Sequence, residues 1–407
     1  VEQIIIKIEH PVGLHARPAT LFVDTIKKFK SSVRLRKNDR EVNAKSILSV
    51  LSLGVKQSDE ITIVADGDDA TQVLSELKVL INGNFGEETV HDKPKTTPKP
   101  IATRDAFGKA ILALGEQDER VVVLSGDLAD STRVLKFSER FPDRFFEMGI
   151  SEQDLIGTSA GLALRGKIPF VATYAVFGVS RAFDQIRMSV CYTNANVKLA
   201  FTHAGLSVGE DGGSAMTLED LALMCSLPHM TVVVPADAGE TEAAVRAAAT
   251  WEGPVYLRLG RSGVPVLDPP DENWVFGKAR LYRKGSDITI AACGIMVSVA
   301  LEAAEICEKQ GISLEVINFH TLKPFDGAAL VESARRTGRV ITAEEHNIFG
   351  GLGSIAARVL GEQYPTPMRF IAVRDSFGES GKPEELMEKY GLTANDIVKA
   401  AGDLMKK

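Results

Sequence analysis

Two places in the sequence combine residue types that can do chemistry. The first is Gly13-Leu14-His15-Ala16-Arg17-Pro18-Ala19. An imidazole titrates near neutral pH and offers a nucleophilic nitrogen. A guanidinium two residues on can neutralise phosphoryl oxygens, and a helix starting near Ala16 would add open N–H groups that favour the same charge. Together they form a phosphate-carrying arrangement. The second place is Gly149-Ile150-Ser151-Glu152-Gln153, ahead of a small-residue helix from Gly157 to Leu164. A carboxylate there can be buried at an interface, where it needs a partner, because an unpaired buried charge is costly. An aromatic segment follows, Tyr174-Ala175-Val176-Phe177, and then Arg181-Ala182-Phe183-Asp184-Gln185. One carboxylate and an aromatic wall suit a flat nitrogen heterocycle, stacked on a ring and held through a ring nitrogen. The plainer alternatives are a structural histidine, a solvent-facing acid at a helix start and core aromatics.

The elements that must position these residues fall into three groups. Residues 3–8 are a β-rich apolar run, 16–28 have helical spacing, and 32–37 alternate as a half-buried strand. A further strand at 60–66 and a helix at 70–82 complete a small sheet-and-helix sandwich, domain 1–86. Residues 87–100 carry three prolines and repeated lysine, the composition of an exposed, semi-extended linker. Beyond it, short apolar runs at 121–124, 169–173, 197–202 and 231–234 alternate with helical segments, as in a doubly wound parallel sheet. A proline-bearing stretch at 264–273 separates a second set of runs at 288–292, 313–318, 340–342 and 369–372. The expected architecture is an α+β sandwich followed by two parallel-sheet α/β domains, 101–264 and 275–407.

Composition narrows the function classes. With 44% hydrophobic and 25% charged residues the chain reads as globular protein. A net charge of -7 argues against a general grip on nucleic acid. No apolar stretch is long enough for a membrane span, and Val1-Glu2-Gln3-Ile4 lacks the regions of a signal peptide. Cys191, Cys225, Cys293 and Cys307 show no paired or metal-ligand spacing. Reduced thiols in a cytoplasmic protein are the expectation.

Residues 1–86 resemble HPr, the histidine phosphocarrier of the bacterial sugar phosphotransferase system, through the loop at 13–19 and the segment Ala44-Lys45-Ser46-Ile47-Leu48. The resemblance implies that His15, with Arg17 beside it, takes a phosphoryl group from enzyme I. It implies that Ser46 is a regulatory phosphorylation site for an HPr kinase, with Ile47, Leu48 and Leu51 as an apolar docking patch. Ser46 as a simple helix N-cap is the alternative.

Residues 101–407 resemble the C-terminal half of transketolase, a thiamine diphosphate enzyme. The resemblance rests on 149–153, on the loop from Thr202 to Gly212, on Val234-Pro235-Ala236-Asp237, on Arg258-Leu259-Gly260-Arg261 and on the glycine-rich turn at 344–353. It implies that Glu152 bonds the aminopyrimidine ring nitrogen, that Phe177 stacks on that ring with Tyr174 beside it, and that Asp127 approaches the cofactor. It implies that His203 and Asp211 bond substrate hydroxyls, His203 with a catalytic role. Ser131, Arg261 and Arg258 would bind the phosphate of a sugar phosphate. The chain lacks the family's Gly-Asp-Gly and downstream Asn that hold Mg²⁺; Asp66-Gly67-Asp68 reads as a turn. The resemblance therefore implies the small subunit of a split transketolase. A separate subunit would bring the diphosphate-binding domain and Mg²⁺, in a homodimer of heterodimers. Ala215 stands where the family usually has histidine, which implies altered substrate choice or a weakened subunit. Two other readings stay open. One is a non-enzymatic phosphotransferase-system regulator on a transketolase-like scaffold. The other is a related thiamine enzyme, of the deoxyxylulose-phosphate synthase or 2-oxo acid dehydrogenase β-subunit kind.

Overall fold

The computed structural model describes residues 1–8, 14, 16–38, 40–56, 59–82, 99–267 and 274–406. The chain divides into two compact units, 1–96 and 97–407. His15 and nearly all of the 87–100 linker lie outside the described residues, as do the side-chain surroundings of Arg17.

The first unit runs β1 (Glu2–Lys7), α1 (Ala16–Lys27), β2 (Ser32–Lys37), β3 (Arg40–Asn43), α2 (Ile47–Ser52), β4 (Glu60–Asp66) and α3 (Ala70–Asn82). The four strands form an antiparallel sheet in the order β1-β4-β2-β3. Val33 and Leu35 on β2 are buried while Arg34 and Arg36 are exposed, so the alternation read from the sequence does place one face on the core. Phe22 and Ile26 of α1 and Val73 and Leu77 of α3 fill the space against it. Asp66-Gly67-Asp68 is the turn between β4 and α3. Ser46 caps α2, its hydroxyl accepting from the Ser49 N–H. Next to it Leu48 is 77% exposed.

The second unit begins with β5 (Ile101–Ala102), α4 (Thr103–Gln117), β6 (Val121–Ser125), α5 (Leu135–Arg140), β7 (Phe145–Glu147), α6 (Glu152–Leu164) and β8 (Ile168–Tyr174). It continues with α7 (Ala175–Arg181), α8 (Phe183–Gln185), β9 (Lys198–Thr202), α9 (Asp220–Ser226), β10 (Thr231–Val233), α10 (Ala238–Thr250), β11 (Val255–Arg258) and β12 (Gly263–Val264). The last part runs β13 (Arg280–Arg283), β14 (Ile288–Ala292), α11 (Met296–Glu308), β15 (Leu314–Asn318), β16 (Thr321–Lys323), α12 (Gly327–Thr337), β17 (Val340–Asn347), α13 (Leu352–Gln363), β18 (Met368–Val373), α14 (Pro383–Lys389) and α15 (Ala394–Met405).

A seven-stranded sheet has the order β16-β10-β11-β9-β8-β6-β7, parallel except for β16. Every residue of β6, β9 and β11 is buried, as expected of strands covered on both faces. A five-stranded sheet has the order β13-β15-β14-β17-β18, parallel except for β13. One strand crosses the division expected from sequence: β16 lies beyond residue 275 yet pairs with β10 of the larger sheet. Its three residues are too few for periodicity to assign. All four cysteines are free thiols, and no helix among the described residues is long and apolar enough to cross a membrane.

Candidate active site

The parallel strands β6, β8, β9 and β11 are neighbours in the sheet, so the loops leaving their carboxyl ends lie side by side. Ligands of open α/β sheets bind in such crevices. Asp127 and Ser131 follow β6, Tyr174 ends β8 and Phe177 follows it, His203 follows β9 and Arg261 follows β11.

Glu152 is the first residue of α6 and is only 5% exposed. Its Oε1 accepts from the Arg181 Nη1 at 2.8 Å. The same guanidinium lies over the Phe177 ring, 4.3 Å from its centroid. Tyr174 stacks on Phe177 with centroids 5.4 Å apart. A flat N–H-bearing group therefore sits on the aromatic wall while bonding the carboxylate. These are the two contacts an aminopyrimidine ring needs, and the residues present fit such a ring. Arg181 is 48% exposed and has room to leave.

His203 is buried and stacks on Tyr174 at 3.7 Å between centroids. Its Nε2 lies 3.1 Å from the Arg104 Nη1 and its Nδ1 2.8 Å from the Thr202 hydroxyl. Arginine only donates, so Nε2 accepts and Nδ1 carries the proton. Burial, with help from the charges of Arg104, Arg261 and Arg133, brings the His203 pKa down to about 3. The ring is neutral across the physiological range.

Arg104 was not among the residues expected from sequence. It stands in the first turn of α4, which Thr103 anchors to the loop after β11 by bonding the Gly260 N–H at 2.7 Å. Its Nη1 also donates to the Ser131 carbonyl at 3.0 Å, and its buried Nε finds no acceptor among the described residues. An unpaired buried donor on a cation, beside a second cation, could accept an anion. Arg261 is that second cation, held by the Val208 carbonyl and by Glu210 at 3.0 Å, with Asp211 at 3.9 Å. Nothing local in Thr103-Arg104-Asp105 distinguishes this arginine from an ordinary helix-start residue. Asp127 is exposed at a positive φ of 61°, and its N–H donates to Glu147.

Arg258 corrects an expectation. It is buried and donates from Nε and Nη2 to the equally buried Asp220 at 2.7 and 3.2 Å. Its Nη2 also reaches the Glu345 carbonyl at 3.0 Å. A guanidinium committed in this way has no face left for a substrate phosphate. Arg258 and Arg261 look alike in sequence, but Arg258 is the last residue of the fully buried β11 and Arg261 stands on the loop after it. Ala215 is buried in an apolar cluster with Leu206, Val208, Met216 and Leu218. Among the described residues no group of three or more His, Cys, Asp or Glu side chains could hold a metal ion.

Comparison with known proteins agrees with this geometry. The family "Transketolase, pyrimidine binding domain" matches residues 99–266 and "Transketolase, C-terminal domain" matches 277–397. The 6-deoxy-6-sulfo-D-fructose transketolase subunit SqwH of Clostridium sp. is 43% identical over 304 residues, 75% of this chain and 94% of that protein. The chain belongs to the transketolase family. An apulose-4-phosphate transketolase subunit of Phocaeicola vulgatus is 37% identical over 308 residues, 75% of this chain and 98% of that protein. A solved split-gene transketolase, described as an inactive β4 tetramer, is 53% identical with a TM-score of 0.70, covering 74% of this chain and 98% of its own. These transketolase relatives are subunits that correspond to the second unit. The first unit matches the family "PTS HPr component phosphorylation site" over residues 3–83, so the chain joins an HPr domain to a transketolase C-terminal subunit.

Proposed function

We propose that this chain is one half of a two-subunit transketolase that transfers a two-carbon ketol unit between sugar phosphates. The observation that carries the reading is Glu152, buried against the Phe177 and Tyr174 wall with a flat guanidinium already making both ring contacts. Thiamine diphosphate, when bound, supplies the carbanion and the electron sink. Glu152 holds the pyrimidine nitrogen and so governs where the ring proton sits. Phe177 and Tyr174 fix the plane of the ring, and Asp127 lies at the edge of the same crevice. His203 stays neutral, with Nδ1–H committed to Thr202, and presents Nε2 towards Arg104 and a substrate hydroxyl. Asp211 faces the sugar, while Arg104, Arg261 and Ser131 take its terminal anion.

The diphosphate and Mg²⁺ belong to a second polypeptide, completing a homodimer of heterodimers. The relative described as an inactive β4 tetramer supports this, being a chain that corresponds to the second unit alone. Two relatives are named for a sulfonated and a phosphorylated sugar. Both are sugars ending in a tetrahedral oxyanion, which favours an acidic sugar as substrate here. Ala215 leaves apolar packing at its position and so shapes which sugar is accepted. In the first unit His15, with Arg17, carries a phosphoryl group from enzyme I. Ser46 is the site for an HPr kinase, beside the exposed Leu48. The linker at 87–100 tethers the two activities.

The test is reconstitution. The purified chain with thiamine diphosphate and Mg²⁺ should show negligible ketol transfer and gain it with a diphosphate-binding subunit. In that complex Glu152→Gln should lower kcat by about two to four orders of magnitude. Robust transfer by the chain alone, or near wild-type turnover of the variant, would reject the assignment.

A further inference from the structure

None of the residues assigned above comes from the five-stranded sheet, yet the loop that carries His203 is held by that sheet at one end and by the segment after β18 at the other. Glu345 lies on β17 and is buried. Its Oε1 accepts the Ser207 N–H, four residues past His203. Gly205 packs directly on the same carboxylate at a φ of +90°, and a Cβ there would overlap it. At the far end of the loop Gly212 lies against Ser380, where a side chain would again collide. The loop backbone is therefore pressed on two polar groups of the C-terminal domain, and its glycines permit that approach.

Arg258 explains how Glu345 is itself fixed. Its guanidinium joins Asp220 of the larger sheet domain to the Glu345 carbonyl. Beside Glu345 lies a cavity of about 30 Å³, lined in part by Ser207, Ser262 and Arg258. Glu345 itself is buried, so loss of its side chain would leave a hole. The side chain of His203, by contrast, makes its polar and ring contacts with Thr202, Arg104 and Tyr174. The larger sheet domain orients the ring, and the smaller one sets the backbone path that follows it.

We infer that Glu345 is a positioning residue through which the C-terminal domain fixes the loop bearing His203 and Asp211. The inference rests on the proposed transketolase reading for its catalytic consequence, though not for the contact itself. Glu345 touches neither cofactor nor substrate. Its effect falls on sugar binding and turnover and not on cofactor binding, because Glu152 and Phe177 stand on α6 and α7.

The experiment uses the full chain with Glu345→Ala, Glu345→Gln and Gly205→Ala. Hydrogen exchange on the chain alone reads the loop. Amides 204–213 should exchange at least about tenfold faster in Glu345→Ala, while those of β9 and β14 keep their rates. Kinetics in the complex with the diphosphate-binding subunit read the consequence. The kcat/KM for a sugar phosphate should fall at least about tenfold, with apparent thiamine diphosphate affinity unchanged within about twofold. Glu345→Gln should recover most of the loss, because its amide oxygen still accepts the Ser207 N–H. Should Glu345→Ala not fold, Gly205→Ala must give the same loop-confined pattern. Unchanged loop exchange would overturn the inference. So would acceleration spread through both sheets in all variants, which marks general destabilisation. A wild-type complex without ketol transfer would defeat the transketolase reading, and the exchange measurement would still decide the clamp.

Discussion

The residues proposed for chemistry in the first unit, His15 and Arg17, stand two positions apart in the sequence. Those of the second unit, Arg104, Glu152, Phe177, His203 and Arg261, come from five different segments and meet only where parallel strands end together. The difference follows from the sheets. A helix start can offer a phosphate site built from residues adjacent along the chain. A parallel sheet spaces its strands by crossovers, so its carboxyl-end loops are far apart in sequence and adjacent in space. Damage to a local site should be complete and confined. Damage to an assembled site should be graded, with each loop removing part of the function.

The largest expected effect tests the local site. Enzyme I and phosphoenolpyruvate should label the full chain with acid-labile, base-stable phosphate, and His15→Ala should abolish the label. Undiminished label in that variant would place the phosphate elsewhere. Ketol transfer in the assembled complex should be unaffected by the same change.

A graded loss is expected at the assembled site. Arg104→Gln removes the cation that touches both Ser131 and His203. It should raise KM for sugar phosphates by about one to two orders of magnitude, since a charge-assisted bond contributes about 1.5–3 kcal/mol. The change in kcat should be smaller. Steady-state kinetics with a neutral sugar as comparison measure this, and equal effects on both substrates would deny Arg104 its anion.

The acid dependence of stability sharpens the contrast further. The folded pKa of His203 is about 3, below its ordinary 6.5, because the buried ring resists a charge. The unfolded chain then binds more protons between those values, so stability falls as pH drops below 6.5. At pH 5 this single group costs about 2 kcal/mol relative to pH 8. His320 and His346, each brought down to about 4 mainly by burial, act in the same direction. Denaturant melts of the second unit should show this acid loss, and His203→Asn should remove part of it. An identical pH slope in the variant would place the proton uptake elsewhere.

The smallest effect belongs to the cap of α2. Ser46→Ala should lower the stability of the first unit by about 0.5–2 kcal/mol, the usual cost of an N-cap. Melting followed separately in the two units should leave the second untouched. A shared shift would mean that the units are energetically coupled.

Much of this was legible in one dimension. The alternation of β2, the continuous apolar runs of β6 and β9 and the helical spacing of α1 each follow from which faces must be buried. The fusion of an HPr domain to a transketolase subunit could also be read from contiguous motifs. Arg104 could not, since its meaning lies in a partner 99 residues away. Arg258 and Arg261 looked equivalent in one short segment, and only packing separated the buried ion pair with Asp220 from the partly exposed cation beside Glu210 and Asp211.

The order of residues was enough to set the sheet types, the helix starts and the two family memberships, because periodicity, short-range hydrogen bonding and contiguous motifs depend on neighbours along the chain. The tertiary structure alone decided the tautomer of His203, the burial of Arg258, the guanidinium of Arg181 on Phe177 and the hold of Glu345 on the substrate loop. Each depends on desolvation and on a bond to a residue that the folding of the sheets, and not the order of the chain, brings within reach.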